Sequence, residues 1–323
     1  MGQGSPAALY LCRRFPPSEG GGSLRAIGID VGGTAIKFAL VSDGEVLLRA
    51  QCPTPTGDPP ALAKAAAALI RENAPDWEML PIGFACAGDV DPKTGLVSAD
   101  NLGWQNVPLG SLLREALGRD VLLEQDTHAA MMAEWANGSL KGEKNALYLT
   151  IGTGVGGGAI LDGRPYREIR RPGSEFGHMI THAGGEPCPC GERGCYERYA
   201  SSAALVRRAK DYKNAKEIVD AVQRNDPAIL PIWESYIEEV CVGLVSLMAI
   251  FYPEVISIGG GISASGDFLL NAILKGLSHH EGYRKYYSHI RIRLADFGND
   301  AGVLGAAAAA CRELGYEPVL LTD

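Results

Sequence analysis

Residues 24 to 54 read LRAIGIDVGGTAIKFALVSDGEVLLRAQCPT. An apolar run ends in Asp30, turns through Gly32, Gly33 and Thr34, and continues into a segment that doubles back at Ser42-Asp43-Gly44. Apolar and β-branched residues bounded by glycines predict a buried strand, a glycine turn and a two-stranded hairpin. The pattern recurs in NALYLTIGTGVGGGAILDGRPY, residues 145 to 166, where a strand enters Gly152, Thr153, Gly154, Gly156, Gly157 and Gly158 and leaves as a second strand. Strand, glycine turn and strand, found twice, predict a chain of two similar α/β halves. Backbone N–H groups free of side-chain bulk can approach phosphate oxygens; Thr34 adds a hydroxyl, and Asp30 can hold a Mg²⁺-bound water. Taken alone, each turn is equally explained as ordinary turn chemistry. Neither is a P-loop, because no Lys-Ser or Lys-Thr follows, and a dinucleotide fold is disfavoured because each turn leads into a strand.

The segments between these turns supply candidate walls. PPALAKAAAALIREN, residues 59 to 73, predicts a helix with proline in its first turn. MLPIGFACAGDVDP predicts a buried strand entering a Gly-Asp turn. The residues after it are expected to form a loop carrying Asn101 and Trp104, then a short helix capped near Gly118. Polar groups beside an exposed aromatic suit a carbohydrate face, whereas core packing is the commoner use of Trp. In VLLEQDTHAAMMAEWANG a strand runs through Leu123 into Glu124, Gln125 and Asp126, then a helix. Asp126 is expected either to cap that helix or to be a general base at the carboxyl end of a strand, where α/β sheets hold ligands. The helix N-terminus would favour its ionised form. Residues 214 to 226 are expected as a water-exposed helix and turn, ahead of an apolar helix broken at Pro253. A buried strand then ends in Gly259, Gly260 and Gly261, a corner suited to a flat ring or simply to a tight turn. A strand, a loop holding Asp300 and a helix from Ala301 close the chain.

Residues 175 to 197, EFGHMITHAGGEPCPCGERGCYE, hold the densest set of metal-binding side chains. Cys188, Cys190 and Cys195 form C-x-C-x4-C with Gly191 and Gly194 between, and His178 offers a fourth donor. Soft sulfur and imidazole donors in a tetrahedral set favour Zn²⁺, structural in kind because no open position is left. The bland alternative is three reduced thiols in an ordinary loop. Glu175 and Glu197 bracket this centre as candidate ligands for a polar substrate.

Composition narrows the rest. The 323 residues suffice for two domains; 46% hydrophobic, 21% charged and 41 glycines describe a globular protein rich in turns. A formal charge of -8 argues against nucleic-acid or membrane-surface partners, which require excess Lys and Arg. Eight cysteines are too sparse for a disulfide framework and fit a reducing cytoplasm; Cys12, Cys52, Cys86, Cys241 and Cys311 are expected as small buried side chains. No apolar run reaches membrane-spanning length. The first 23 residues, rich in Gly and Pro, are expected to be a disordered extension rather than a secretion signal.

Together these segments resemble the ROK family (repressor, open reading frame, kinase) of sugar kinases, within the actin and hexokinase-like superfamily. The resemblance runs from Ile27 to Ala310. It rests on D-x-G-G-T at Asp30 to Thr34, G-T-G-x-G-x-G at Gly152 to Gly158, E-x-G-H at Glu175 to His178 and C-x-C-G-x-x-G-C-x-E at Cys188 to Glu197. It implies an α/β fold of two ribonuclease-H-like domains with a ligand cleft between them. The first domain would span 24–125 together with a C-terminal helix from about 302 to 323, and the second 126–301. The implied nucleotide side comprises Asp30, Gly32, Gly33, Thr34, Lys37, Gly152, Thr153, Gly154, Gly156, Gly259, Gly260 and Gly261. The implied sugar side comprises Asn101, Gln125, Asp126, Glu175, His178 and Glu197. Asp126 falls at the family's catalytic aspartate. Where the family usually has E-N-D-x-N, this chain has Glu124-Gln125-Asp126-Thr127-His128, and Arg171-Pro172-Gly173-Ser174 replaces the usual small residues before E-x-G-H.

The expected activity is ATP- and Mg²⁺-dependent phosphorylation of an aldohexose, with glucose as the first choice. N-acetylmannosamine, N-acetylglucosamine, allose and fructose are alternatives. A sugar-responsive regulator would need a DNA-binding module ahead of the sugar domain, for which 23 residues are too few; a non-catalytic sugar sensor is the third possibility. Dimers are the family habit.

Overall fold

The computed structural model describes residues 24–99, 102–166 and 174–313. The N-terminal stretch, Asn101, the Arg171-Pro172-Gly173 segment and the end of the chain lie outside the described residues.

The first half opens with β1 (Arg25–Val31), β2 (Ala35–Ser42), β3 (Glu45–Pro53), α1 (Pro59–Asn73) and β4 (Ile82–Cys86). The β2–β3 hairpin turns at Asp43 and Gly44, both with positive φ, the backbone of a tight two-residue turn. Asp58 caps α1, its side chain accepting the Ala61 N–H at 3.0 Å. A small sheet follows, formed by β5 (Asp89–Asp91), β6 (Leu96–Ala99) and β7 (Trp104–Val107). The expectation of a loop here is corrected: the strands have three or four residues, too short for alternation to be recognised, and pairing creates them. Trp104 is 3% exposed, in the core with Val90, Val97 and Leu113, so of the two uses weighed for it core packing is the one observed. Then come α2 (Leu109–Leu117), ended by Gly118 in the left-handed region, β8 (Leu122–Gln125) and α3 (Asp126–Asn137).

The second half repeats the plan with β9 (Ala146–Ile151), β10 (Val155–Leu161) and β11 (Arg164–Pro165), followed by the cysteine-rich loop. Helices α4 (Glu197–Ala200), α5 (Ser202–Arg208), α6 (Ala215–Gln223) and α7 (Leu230–Phe251) come next. The chain continues through β12 (Val255–Gly259), α8 (Asp267–His279), β13 (Arg291–Leu294) and α9 (Ala301–Glu313). Helix α6 is amphipathic, burying Ile218, Val219, Ala221 and Val222, which corrects the expectation of a water-exposed segment. Among the described residues no helix is long and apolar enough to cross a membrane. Cys86, Cys241 and Cys311 are buried as expected, Cys52 is only half-buried, and Cys12 lies outside the described residues.

The two large sheets have one topology. Their strand orders are β3-β2-β1-β4-β8 and β11-β10-β9-β12-β13, each an antiparallel hairpin continued by parallel strands. Register sets the carboxyl ends side by side: Asp30 opposite Ala85 and Cys86 opposite Gln125 in one sheet, Thr150 opposite Gly259 in the other. Helix α9, last in sequence, packs on β1 and β4 of the first sheet and on α3. Glycine makes that approach possible. A Cβ at Gly28 would overlap the Val303 carbonyl oxygen, one at Gly83 the Ala306 carbonyl, and one at Gly305 the Ala129 carbonyl.

Gly305→Ala should therefore lower unfolding free energy by about 1–3 kcal/mol, since an overpacked site must displace backbone. Gly282→Ala, with nothing within 4 Å of the added carbon, should stay within about 0.5 kcal/mol of the parent. Urea denaturation of the two variants beside the parent checks both.

Candidate active site

The first glycine turn leaves β1 at Asp30. Gly32 N–H donates within the turn to Ala35 O at 3.1 Å, and Thr54 braces it, its hydroxyl donating to Gly32 O at 2.7 Å and its N–H to Thr34 O at 3.0 Å. Gly33 and Thr34 form the exposed tip. Lys37 Nζ pairs with Asp30 Oδ2 at 3.1 Å. The second turn leaves β9 at Gly152, whose N–H donates to Gly154 O at 2.9 Å, with Thr153 at the exposed tip. Gly157 and Gly158 lie within β10, where Phe176 and Met131 occupy the space a side chain would take. The third corner abuts the second turn: Gly260 has a φ of 86° and fits against the carbonyl of Ile151. Gly259 accommodates the Tyr148 hydroxyl, and Gly261 is open to solvent with nothing within 4 Å of an added Cβ.

Asp126 begins α3 where β8 ends. It is not the cap: Gln125 is, accepting the His128 N–H on Oε1 at 3.0 Å, which corrects the expectation that Asp126 serves that role. The Asp126 carboxylate accepts Thr127 N–H at 2.6 Å and the Thr127 hydroxyl at 3.3 Å. Burial raises its pKa above the ordinary value of 3.8; the Thr127 N–H and hydroxyl oppose this, and the charges of Asp30 and Glu175 add to it. The expectation that the helix terminus would favour the ionised form is thus outweighed by desolvation and like charge. That three-way influence also shows that Asp30, Asp126 and Glu175 share one electrostatic neighbourhood.

Thr127 and Thr54 were not singled out from sequence. A lone threonine carries no periodic signal, and only the position of Thr127 directly after Asp126 hinted at its use. A Cβ on Gly156 would sit 2.8 Å from Thr127 Oγ1, so the second glycine turn reaches the Asp126 junction. A Cβ on Gly154 would sit 2.9 Å from Glu197 Oε2, which brings the same turn against the cysteine loop.

In that loop the donor atoms of His178, Cys188, Cys190 and Cys195 all lie within 4.8 Å of one another. Cys190 Sγ is 3.6 Å from Cys195 Sγ, and Cys188 Sγ is 3.8 Å from His178 Nδ1. A tetrahedron with metal–sulfur bonds of about 2.3 Å has edges of about 3.8 Å, so four donors at this spacing fit a tetrahedral metal. The Glu192 N–H holds the Cys190 thiol below its ordinary pKa, whereas burial pushes Cys188 up to about 12 and Cys195 upward, so the metal-free cluster favours a thiolate at Cys190 alone. Gly191, at φ 99°, and Gly194, at φ 83° against the His182 carbonyl, let the loop fold back. Cys188 Sγ also lies 3.2 Å from Glu197 Oε1. Glu197 therefore touches both the donor cluster and the second glycine turn. Glu175 and His178 flank the loop on its exposed side, and Asn101 is outside the described residues.

A raised carboxyl pKa makes the ionised native state the costlier one. Its stability penalty is absent below the unfolded carboxyl pKa and grows as pH rises through the folded value. Asp126→Asn should accordingly raise the melting temperature at pH 7, with the gain vanishing near pH 3 as the parent carboxyl protonates in both states; thermal unfolding across pH measures it.

The comparisons with known proteins agree with this geometry. The ROK family signature matches residues 26–313. Glucokinase of Streptomyces coelicolor is 32% identical over 307 residues, covering 88% of this chain and 96% of its own. The crystal structure of a ROK hexokinase from Thermus thermophilus superposes with a TM-score of 0.77 at 34% identity, covering 90% of this chain and 99% of the other. A ROK glucokinase from Streptomyces griseus, solved in complex with glucose and AMPPNP, superposes with a TM-score of 0.76 at 30% identity, covering 89% and 99%. The two-sheet architecture is the actin/hexokinase-like two-domain fold. By the extent of the signature match and the identity to these relatives, the chain belongs to the ROK family.

Proposed function

We propose that this ROK protein is an ATP-dependent hexose kinase that phosphorylates glucose on its 6-hydroxyl, with Asp126 as general base. One observation carries the reading: at the carboxyl ends of β1 and β8, Asp126 shares its electrostatic neighbourhood with Asp30 and Glu175 while the second glycine turn closes on Thr127 and Glu197. A phosphate-binding backbone, a base and polar hydroxyl ligands thus meet in one place. The nucleotide and sugar bound by the Streptomyces griseus relative are the reactants such a place suits.

Asp126 accepts the hydroxyl proton. Thr127, through its N–H and hydroxyl, fixes the carboxylate's orientation, and the upward pKa displacement brings its proton affinity closer to that of a working base. Gln125 has its amide oxygen committed to the helix cap, so the amide nitrogen is the group it turns toward a sugar hydroxyl. Glu175, His178, Glu197 and Asn101 complete the sugar side. Gly33, Thr34, Thr153 and Gly261, the exposed tips of three corners, face the nucleotide, and Gly154, Gly156, Gly259 and Gly260 allow the corners to pack closely. Asp30, with Lys37 beside it, would hold the waters of a Mg²⁺ ion, whose charge would offset that of the phosphates.

The donor set of His178 Nδ1, Cys188, Cys190 and Cys195 would hold a structural Zn²⁺, closed to substrate. Through Cys188 and Glu197 it would steady the sugar side, and His178 would present its second nitrogen to the sugar. A division at Gln125 and Asp126, with α9 returning to the first body, belongs to the same reading and is supported by the packing of α9 on β1 and β4. So do a cytoplasmic setting, supported by the free thiols, and a homodimer.

A coupled ATP assay across a hexose panel tests the activity. Glucose should be the preferred acceptor, and Asp126→Ala should reduce kcat by about 100-fold or more. Full turnover by Asp126→Asn would remove Asp126 from the role of base. Stripping metal with a chelator should weaken glucose affinity and lower the melting temperature together; calorimetric titration of a metal-free sample showing unchanged glucose affinity would overturn the role given to the zinc.

A further inference from the structure

The junction that presents Asp126 contains two polar side chains that the reaction does not use. Glu124 and His128 are 1% and 0% exposed, and His128 Nδ1 lies 3.1 Å from Glu124 Oε2. The approach is off the line of a well-formed hydrogen bond for the ring nitrogen, so the contact is one of charge and dipole more than of directed bonding. Around it runs a closed circuit. Glu124 Oε1 accepts the Gln125 N–H at 3.3 Å, Gln125 Oε1 accepts the His128 N–H at 3.0 Å, and the His128 ring returns to Glu124. Asp126 lies within the sequence span of this circuit, between the strand that carries Glu124 and the turn that carries His128.

Burying a carboxylate and an imidazole together costs desolvation that well-packed apolar side chains would avoid. Stability alone is therefore a poor account of the pair, whereas geometry offers a better one. Helix α3 is packed along its length on α9 and β10, but its first turn is joined to the end of β8 by the Gln125 cap and by the contact of His128 with Glu124, so these side chains set the direction in which the Asp126 carboxylate leaves the junction. We propose that the Glu124–His128 pair is a positioning device for Asp126, holding the first turn of α3 against β8 so that the carboxylate meets the substrate hydroxyl in line. This rests on the reading of Asp126 as the base of a hexose kinase.

The test compares steady-state kinetics of the parent with three variants, using glucose and ATP. His128→Leu keeps the volume but removes one partner of Glu124. Its kcat should fall by about 100-fold, the loss expected of a misplacement near 1 Å, with KM for ATP within about twofold of the parent. His128→Asn places an amide nitrogen near the position of Nδ1 and should restore kcat to within about fivefold. Glu124→Gln combined with His128→Leu removes the buried carboxylate that has lost the imidazole; it should regain the parent's melting temperature and still lack the parent's kcat. Parental kcat in that double variant, or in folded His128→Leu, would overturn the proposal, as would failure of His128→Asn to exceed His128→Leu. Should His128→Leu fail to fold, the double variant decides. A parent that phosphorylates no hexose would instead sink the kinase reading, before any variant is compared.

Discussion

The structure depends on a contact made by backbone alone. Helix α9 lies on the first sheet and on α3 at distances that only glycine permits, with Gly28, Gly83 and Gly305 each facing a carbonyl where a side chain would stand. Ala85, Ala129 and Ala306 fill the space among them. Such a contact has little freedom to slide, because interiors are close-packed and small side chains line its nearest approach. It sets how near α3 comes to β1, and so how near Asp126 comes to Asp30. Even the approach of Gly302 to the Asp30 carboxyl, where an added Cβ would lie 2.9 Å from Cγ, belongs to this seam.

Electrostatics at the site follows from that packing. The charges of Asp30 and Glu175 both act on the buried Asp126, and Lys37 is paired with Asp30. The imbalance costs stability in the resting protein, and it is the arrangement a phosphate-bound cation would relieve. At Asp126 burial is the largest cause of the upward displacement, with the two neighbouring charges adding to it. Around the opposite wall, Glu197 spans from the thiol cluster to the second glycine turn, so a change at the metal donors reaches the nucleotide side through one side chain.

Much of this was legible in the residues. The repeated strand, turn and strand stood out because glycine punctuation is local, and the cysteine spacing announced a donor cluster because ligands so close in sequence have few other uses. What escaped the reading was set by tertiary contact. The small sheet around Val97 and Trp104 is built of strands too short to show alternation, and Trp104 is buried by neighbours distant in sequence. A boundary one residue earlier than expected moved the cap from Asp126 to Gln125. Gly28 and Gly83 read as ordinary strand residues, since the helix that requires them lies more than two hundred positions away.

That separation has a consequence for how the chain is made. β1 and β4 leave the ribosome well before α9, which covers them. Until then one face of the first sheet has no cover, and its two glycines leave it thinly protected. Closing so long a loop is slow, and an uncovered sheet face invites association in the meantime. The second half, whose helices follow its strands closely, can complete its core first. The first sheet thus waits for a helix encoded more than two hundred residues downstream to cover it, and its exposed interval is set by that separation.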